Sequence, residues 1–389
     1  MNYNHQKKNN STVGVRLMCA VVFVVFSFCF LYSFQADVMM MAQHVLSGGV
    51  THYSRFWGAL VITIVLQLLQ LLVFSFFRLW KSFHALTYLP SMLVLAFLTS
   101  MNSDMDLHFS MGAWWWAFPL VIIVWLGIVF LARNIEDVEP GAESAGLFSR
   151  MMWINLLTMA FLIMGTVGVS NTDAVFHYRM RMETRMADGD FEGALEQGCK
   201  SLESDANLQM LRMYALSRTG ELGERLFTYP VVAKSEAILP VSGGSRFALY
   251  PVDSLYRFLG ARPVGEMTTS RYLELMQRRD SVVNRRVADY QLCGLLIDKK
   301  IDAFAKALIN CYAGQDTLVI DALPKHYREA MILYTRSRSK PILVYHNAVM
   351  DEDWRNLQEL EAQYPDFSER KGKVEEQYRG TYWYYYEYE

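Results

Sequence analysis

Apolar residues in the first 170 positions come in long unbroken runs, whereas beyond them they recur at helical spacing among polar residues. Five runs reach the length of about 20 residues that a helix needs to cross the roughly 30 Å hydrocarbon core of a bilayer. They cover 17–34, 56–77, 83–101, 114–132 and 151–169, and none contains a Lys, Arg, Asp or Glu. The third is the most interrupted, with His84, Thr87 and Pro90 near one end, so a kink is expected there. The first follows Lys7, Lys8 and Arg16 in the manner of a signal peptide. Its apolar core exceeds the usual length of about 7–15 residues and no small-x-small cleavage site follows, so it reads as an uncleaved signal anchor.

Beyond Ser170–Asn171–Thr172–Asp173, which supplies polar caps, the pattern predicts a helix over Phe176 to Met186. Gly189, Phe191 and Ala194 then stand at the spacing of the second half of a tetratricopeptide repeat, in a helix continuing to Lys200, Leu202 and Asp205. Glycine there supplies the positive φ of the turn, and the small residue lets paired helices approach. Arg181 and Met182 depart from that repeat's first-helix pattern. A second unit begins with Leu211, Tyr214 and Ala215, with Gly220 at its turn and Leu222 two residues on. Its glycine comes 31 residues after the first instead of about 34.

Further helices are predicted over 287–297 and 301–308, from Ala322–Leu323–Pro324 onward, and over 353–363 ahead of Pro365. The region 228–266, with four prolines and Gly243–Gly244, reads as a long connection or inserted lobe. No alternating pattern is long enough to build a sheet. The expected fold class is all-α: residues 1–170 form a bundle of about five transmembrane helices, and residues 171–389 form a soluble, tetratricopeptide-like helical domain.

Charge sharpens this division. The mean hydropathy of +0.11 averages a first part holding only 8 Lys/Arg and 7 Asp/Glu with a second holding 29 and 32. Seven of the nine tryptophans lie in the first part. A net charge of −2 without a basic block argues against nucleic acid as a partner. Lys and Arg are retained on the cytoplasmic side of a membrane. With the N-terminus cytoplasmic, that side carries Lys7, Lys8, Arg16, Arg78, Lys81, Arg133 and Arg150, against Arg55 alone outside. Five spans in a bacterial inner membrane then place residues 171–389 in the periplasm, and the loss of the third span would invert that.

Candidate chemistry is sparse. Polar residues inside the spans are few, among them Gln67, Gln70, Thr87, Asn155 and Thr158, and Gln67 and Gln70 share one helix face that meets a neighbouring helix. The lack of an intramembrane carboxylate argues against ion-coupled transport. Trp114–Trp115–Trp116 reads as an interfacial belt more readily than as a carbohydrate platform. The loop 103–108 holds Asp104, Asp106 and His108, which could ligate a divalent ion or simply solvate a connection. With Asp37 it is the foothold for a lipid-linked glycosyl or polymer transferase. The five cysteines lack metal spacing, with a Cys293–Cys311 bridge left open. Phosphate-binding, dinucleotide, nucleophile-elbow and zincin motifs are absent, and Gly243–Gly244–Ser245 lacks the elbow's flanks. His326 and Glu329 are expected to pair on a helix surface; for His177 and His346 no partner is visible in sequence. No cofactor is expected.

The stretches Leu323–Pro324–Lys325–His326–Tyr327–Arg328–Glu329–Ala330, Tyr345–His346–Asn347 and Thr381–Tyr382–Trp383–Tyr384–Tyr385–Tyr386 resemble an uncharacterised Bacteroidetes family of multi-pass membrane proteins. The resemblance extends over most of the chain and implies no activity or catalytic residue. Family members look longer, so this chain is expected to be a shortened version. The aromatic tail is expected to dock as a terminal helix. These readings favour a membrane-anchored scaffold, set in the lipid bilayer, whose helical domain binds a protein or peptide; the transferase is the alternative.

Overall fold

The computed structural model describes residues 3–79, 81–101, 104, 112–134, 150–279, 283–312 and 323–389, with side chains from residue 13 onward except at 81 and 134. It divides into two compact units, Met1–Asp173 and Ala174–Glu389. All regular structure among the described residues is helical.

Unit 1 contains α1 (Tyr3–Cys29), α2 (Ala36–Ser47), α3 (Arg55–Phe77), α4 (Leu89–Thr99), α5 (Trp114–Asn134) and α6 (Arg150–Val169). α1 continues through a π-helical turn, Phe30–Phe34, and a 3-10 stretch, Lys81–Tyr88, leads into α4. Five segments are long and apolar enough to cross a membrane: Val13–Phe34, Arg55–Phe77, Ser82–Thr99, Trp114–Arg133 and Arg150–Val169. Leu68, Leu72, Phe76, Phe130, Leu131 and Phe161 point outward, as side chains solvated by lipid would. Trp115 and Trp116 are likewise exposed at the start of α5.

The third segment is 56% buried, against 17–28% for the other four, so it is the centre of the bundle. Its interruption explains the polar residues around it. Pro90 has no N–H to give the carbonyl four residues back, which is that of Leu86. Trp125 of α5 supplies the missing donor, its Nε1–H reaching Leu86 O at 2.9 Å. The Ala85 N–H, outside regular α-helix, donates to Asn155 Oδ1 of α6 at 2.8 Å. Gln67 donates to Gln70, and Gln70 to the Thr87 hydroxyl at 2.9 Å, so the paired glutamines do meet this neighbour. Ser91 Oγ donates to Leu66 O at 2.8 Å. Where lipid offers no hydrogen bonds, side chains of three helices complete the broken one.

Unit 1 also holds a helix that the apolar pattern does not announce. α2 follows the first span after a single residue, Gln35, and six of its residues are buried. Among them is Asp37, whose carboxylate pairs with Arg55 at 3.2 Å. An acid in the first turn of a helix is favoured by the helix dipole.

Unit 2 runs α7 (Ala174–Ala187), α8 (Phe191–Leu195), α9 (Ala206–Thr219), α10 (Leu222–Arg225), α11 (Val252–Leu259), α12 (Thr269–Arg279), α13 (Arg285–Ile297), α14 (Ile301–Tyr312), α15 (Lys325–Ser337), α16 (Ala348–Gln363), α17 (Phe367–Tyr378) and α18 (Tyr382–Tyr388). One hydrophobic core joins them. Three helix pairs share one turn. α7 ends on Gly189 (φ +81°), α9 on Gly220 (φ +79°) and α13 on Lys299 (φ +57°). In each, the next N–H bonds back to the carbonyl five residues earlier: Asp190 to Arg185, Glu221 to Leu216 and Lys300 to Leu295. That is the Schellman closure. An apolar residue sits two positions past each turn: Phe191, Leu222 and Ile301. Lysine is a costly occupant of this conformation. Its Nζ donates to Tyr386 O at 3.0 Å and lies over the Tyr385 ring, so it also holds the end of α18.

In the first two pairs the second helix is shorter than the repeat pattern predicts. α8 stops at Leu195 instead of continuing toward Asp205, because the chain turns at Gly198 (φ +63°). The Tyr178 ring fills the place that a Cβ would take, and Arg212 binds the Gly198 carbonyl at 3.1 Å. α10 has only four residues. The connection expected over 228–266 contains α11, and α12 follows at 269. Pro324 precedes α15 as its cap residue. Cys293 and Cys311 are free thiols.

A double-mutant cycle tests the account of the third segment. Trp125→Phe alone orphans the Leu86 carbonyl and should cost about 1–3 kcal/mol. Adding Pro90→Ala restores a backbone donor, so the pair should lose less than the sum of the singles, read from thermal unfolding in detergent. Strict additivity would contradict the assignment.

Candidate functional site: an arginine-lined concavity in unit 2

Of the acidic residues singled out in the sequence, Asp37 and Asp104 fall among the described residues. Asp37 is committed to Arg55. Asp104 lies in a turn, and Asp106 and His108 fall outside the described residues. No group of three His, Cys, Asp or Glu side chains with metal-binding proximity occurs among the described residues.

A different constellation stands out in unit 2. Arg218 in the last turn of α9, Arg257 and Phe258 in the last turn of α11, and Arg286 in the first turn of α13 line a concavity of about 460 Å³ with Tyr250 and Ser254. The Arg218 guanidinium lies 4.3 Å from the centre of the Phe191 ring and 5.3 Å from that of Phe258, and it donates to the Tyr214 hydroxyl at 3.0 Å. Arg286 sits 4.6 Å from the Phe258 ring centre. Cation–π contacts hold the guanidinium planes in place while leaving N–H groups free for a ligand. Burial pushes the Tyr214 phenol up, so it remains a neutral acceptor for Arg218.

Charge compensation is sparse at these arginines. Many others in unit 2 pair with carboxylates, among them Arg185 with Asp190, Arg225 with Glu221, Arg336 with Asp351 and Arg338 with Asp302. Arg218, Arg257 and Arg286 make no ion pair among the described residues, and their hydrogen bonds go to a phenol and two backbone carbonyls. The nearest acid on α11, Asp253, is turned to Arg262, whose Nε donates to it at 2.6 Å. Arg218 and Arg257 suit the negative ends of their helices, but Arg285 and Arg286 stand at the positive end of α13, where the dipole disfavours them. An anion in the concavity would offset that cost.

One wall is set from inside the core. Tyr250 ends a non-helical segment whose successive N–H groups, from Ala248, Leu249 and Tyr250, all donate to the carboxylate of Glu183 on α7. Glu183 is fully buried; burial pushes its carboxyl up, and the three N–H donors with Arg179 pull it back down. The Tyr250 hydroxyl lies 3.3 Å from that of Tyr214, which joins this segment to the Arg218 side. The arginines are spread from 218 to 286 on three helices, so no local motif announces them. In sequence only Arg257, between Tyr256 and Phe258, stands beside aromatic residues.

His326 and Glu329 do pair, but inside the core and not on the surface. Their side chains are 0% and 1% exposed, with His326 Nδ1 2.8 Å from Glu329 Oε2. Glu329 Oε2 also accepts the Tyr382 N–H at 2.7 Å, and Trp383 Nε1 donates to the Glu329 carbonyl at 2.8 Å. The aromatic tail is therefore docked as α18, with Tyr382, Trp383, Tyr384 and Tyr385 buried. His346 lies 3.5 Å from Asp351.

Residues 270–389, from the start of α12 through α18, match a family of unknown function (DUF6057). The match contains the three stretches on which the family resemblance rests, together with Arg286, and it leaves the other concavity residues outside. No curated protein and no solved structure matches the chain.

Removing Glu183 should be felt at the wall. Glu183→Ala leaves three buried N–H groups unpaired, at a cost of about 3 kcal/mol or more. Glu183→Gln retains an acceptor oxygen and should recover part of it. Urea unfolding followed by tyrosine near-ultraviolet dichroism measures both, and an unchanged midpoint for Glu183→Ala would refute this role.

Proposed function

We propose that the chain is a membrane-anchored scaffold whose unit 2 binds a protein or peptide partner. In this reading the five apolar segments cross a bacterial inner membrane with the N-terminus cytoplasmic, and unit 2 lies in the periplasm. The observation that carries it is the aromatic-walled concavity with three uncompensated arginines, a surface that stays unsatisfied until an acidic group of a partner enters. Two features support it. The shared turns at Gly189, Gly220 and Lys299 give unit 2 the repeated helix-pair construction of binding arrays, though the second helices after Gly189 and Gly220 are shorter than those of a tetratricopeptide repeat. The excess of Lys and Arg at 7, 8, 16, 78, 81, 133 and 150 supports the orientation.

Two experiments test the reading. Alkaline phosphatase fused after Glu389 should be active in cells, and an inactive fusion would invert the orientation. A photoreactive residue in place of Ser254 should crosslink one reproducible partner in intact cells. That crosslink should disappear with Arg257→Gln and persist with Asp104→Ala and Asp106→Ala. Loss with the aspartate variants instead would shift the balance to the transferase.

A further inference from the structure

The concavity is too strongly charged for a generic acidic contact. Three guanidiniums face it, and no described carboxylate answers any of them. A single carboxylate would offer two oxygens and one charge, enough for one guanidinium fork. A phosphate monoester presents three terminal oxygens and close to two charges, one oxygen for each fork. The walls fit a compact head group better than an apolar body, because Arg218 already covers the rings of Phe191 and Phe258. What remains toward the space is mostly guanidinium N–H, with Ser254, Tyr250 and part of Phe258 alongside. The N-terminus of α13, thirteen residues long, adds its positive end on the side of Arg286.

We propose that the Arg218–Arg257–Arg286 concavity is a binding site for a phosphate monoester dianion, with each guanidinium engaging one terminal oxygen. This deepens the binding reading above by naming the group recognised, and it rests on that reading only in taking unit 2 as the part that binds. The phosphate can come from a soluble monoester or from a lipid head group that carries one. Arg218 is the preorganised member, held between rings and by Tyr214. Arg257 and Arg286 lie at the ends of separate helices, so a bound phosphate would tie α9, α11 and α13 together. Tyr250 is a positioning residue whose place is set by Glu183.

The test is calorimetric titration of the full chain in neutral detergent with three probes: glycerol 3-phosphate, dioctanoyl phosphatidate and succinate. Glycerol 3-phosphate should bind at one site per chain and lose about tenfold in affinity with Arg257→Gln and again with Arg286→Gln. Arg257→Lys, which keeps the charge without the fork, should fall between. Binding should weaken several-fold between about pH 7.5 and about pH 5, as the monoester takes up its second proton near pH 6. Phosphatidate that binds about tenfold more tightly than glycerol 3-phosphate, after subtraction of the Arg257→Gln/Arg286→Gln chain, identifies the lipid source; equal affinity identifies the soluble one. The proposal is overturned if neither phosphate binds below about 10 mM. It is equally overturned if the double variant binds as well as the parent, or if succinate matches the phosphates. These exposed arginines leave the core intact, and an unchanged far-ultraviolet spectrum would confirm that for each variant. Phosphate binding without a crosslinked partner would leave this site standing and count against the scaffold; a partner captured without phosphate binding would do the reverse.

Discussion

Backbone amides and carbonyls removed from water must be paired, and helices do this for themselves. The chain departs from helix inside its packed regions at a few places, and at each one a polar side chain from a distant helix takes over. Asn155 and Trp125 serve the 85–86 stretch. Gln209 accepts the N–H groups of Val232 and Ala233 and donates to the Ala233 carbonyl. Glu183 collects three amides at 248–250, and Glu329 takes that of Tyr382. These contacts fix where irregular segments run, and the arginine-lined concavity is built on one of them. An apolar residue in place of any such side chain would leave the orphaned groups at full cost.

Glu329 shows why two sequence stretches so far apart belong together. His326 Nε2 accepts the Phe227 N–H at 3.3 Å, so Nδ1 carries the proton that reaches the Glu329 carboxylate. Lys325 approaches the other carboxylate oxygen at 3.7 Å. The 323–330 stretch and the aromatic end of the chain are thus two halves of one joint, and both lie in the region that matches the family of unknown function. The same end is gripped a second time through Lys299, which explains a lysine where glycine would be easier. Tyr385 completes the grip by donating to the Ile297 carbonyl at 2.7 Å.

Long apolar runs and helical spacing made the all-α class legible, along with five membrane-length segments and most helices of unit 2. Gly189 and Gly220 gave away their turns because glycine is the usual answer to a positive φ. The equivalent turn at Lys299 was not readable, since its occupant is chosen for a contact 87 residues away. The length of α8 was misjudged because what ends it is Tyr178 packing on Gly198 and Arg212 binding its carbonyl, both tertiary. The helix α2 and the pairing of Asp37 with Arg55 are not readable in sequence, because nothing local discloses either. The concavity was invisible for a similar reason: its charges meet only when three helices are assembled.

The 3-10 stretch ahead of Pro90 bears on reach. Wound wholly as α-helix, the 18 residues of Ser82–Thr99 would extend about 27 Å, short of a hydrocarbon core of about 30 Å. Beyond the kink at Phe83, the residues up to Tyr88 take the tighter 3-10 winding, which rises about 2 Å per residue and adds about 2.5 Å. The break ahead of Pro90 thereby lengthens the segment toward the thickness of a hydrocarbon core. The cost is a set of stranded polar groups, which Trp125, Asn155 and Gln70 relieve. The most buried of the five apolar segments thus owes about 2.5 Å of its reach to five residues of unusual winding.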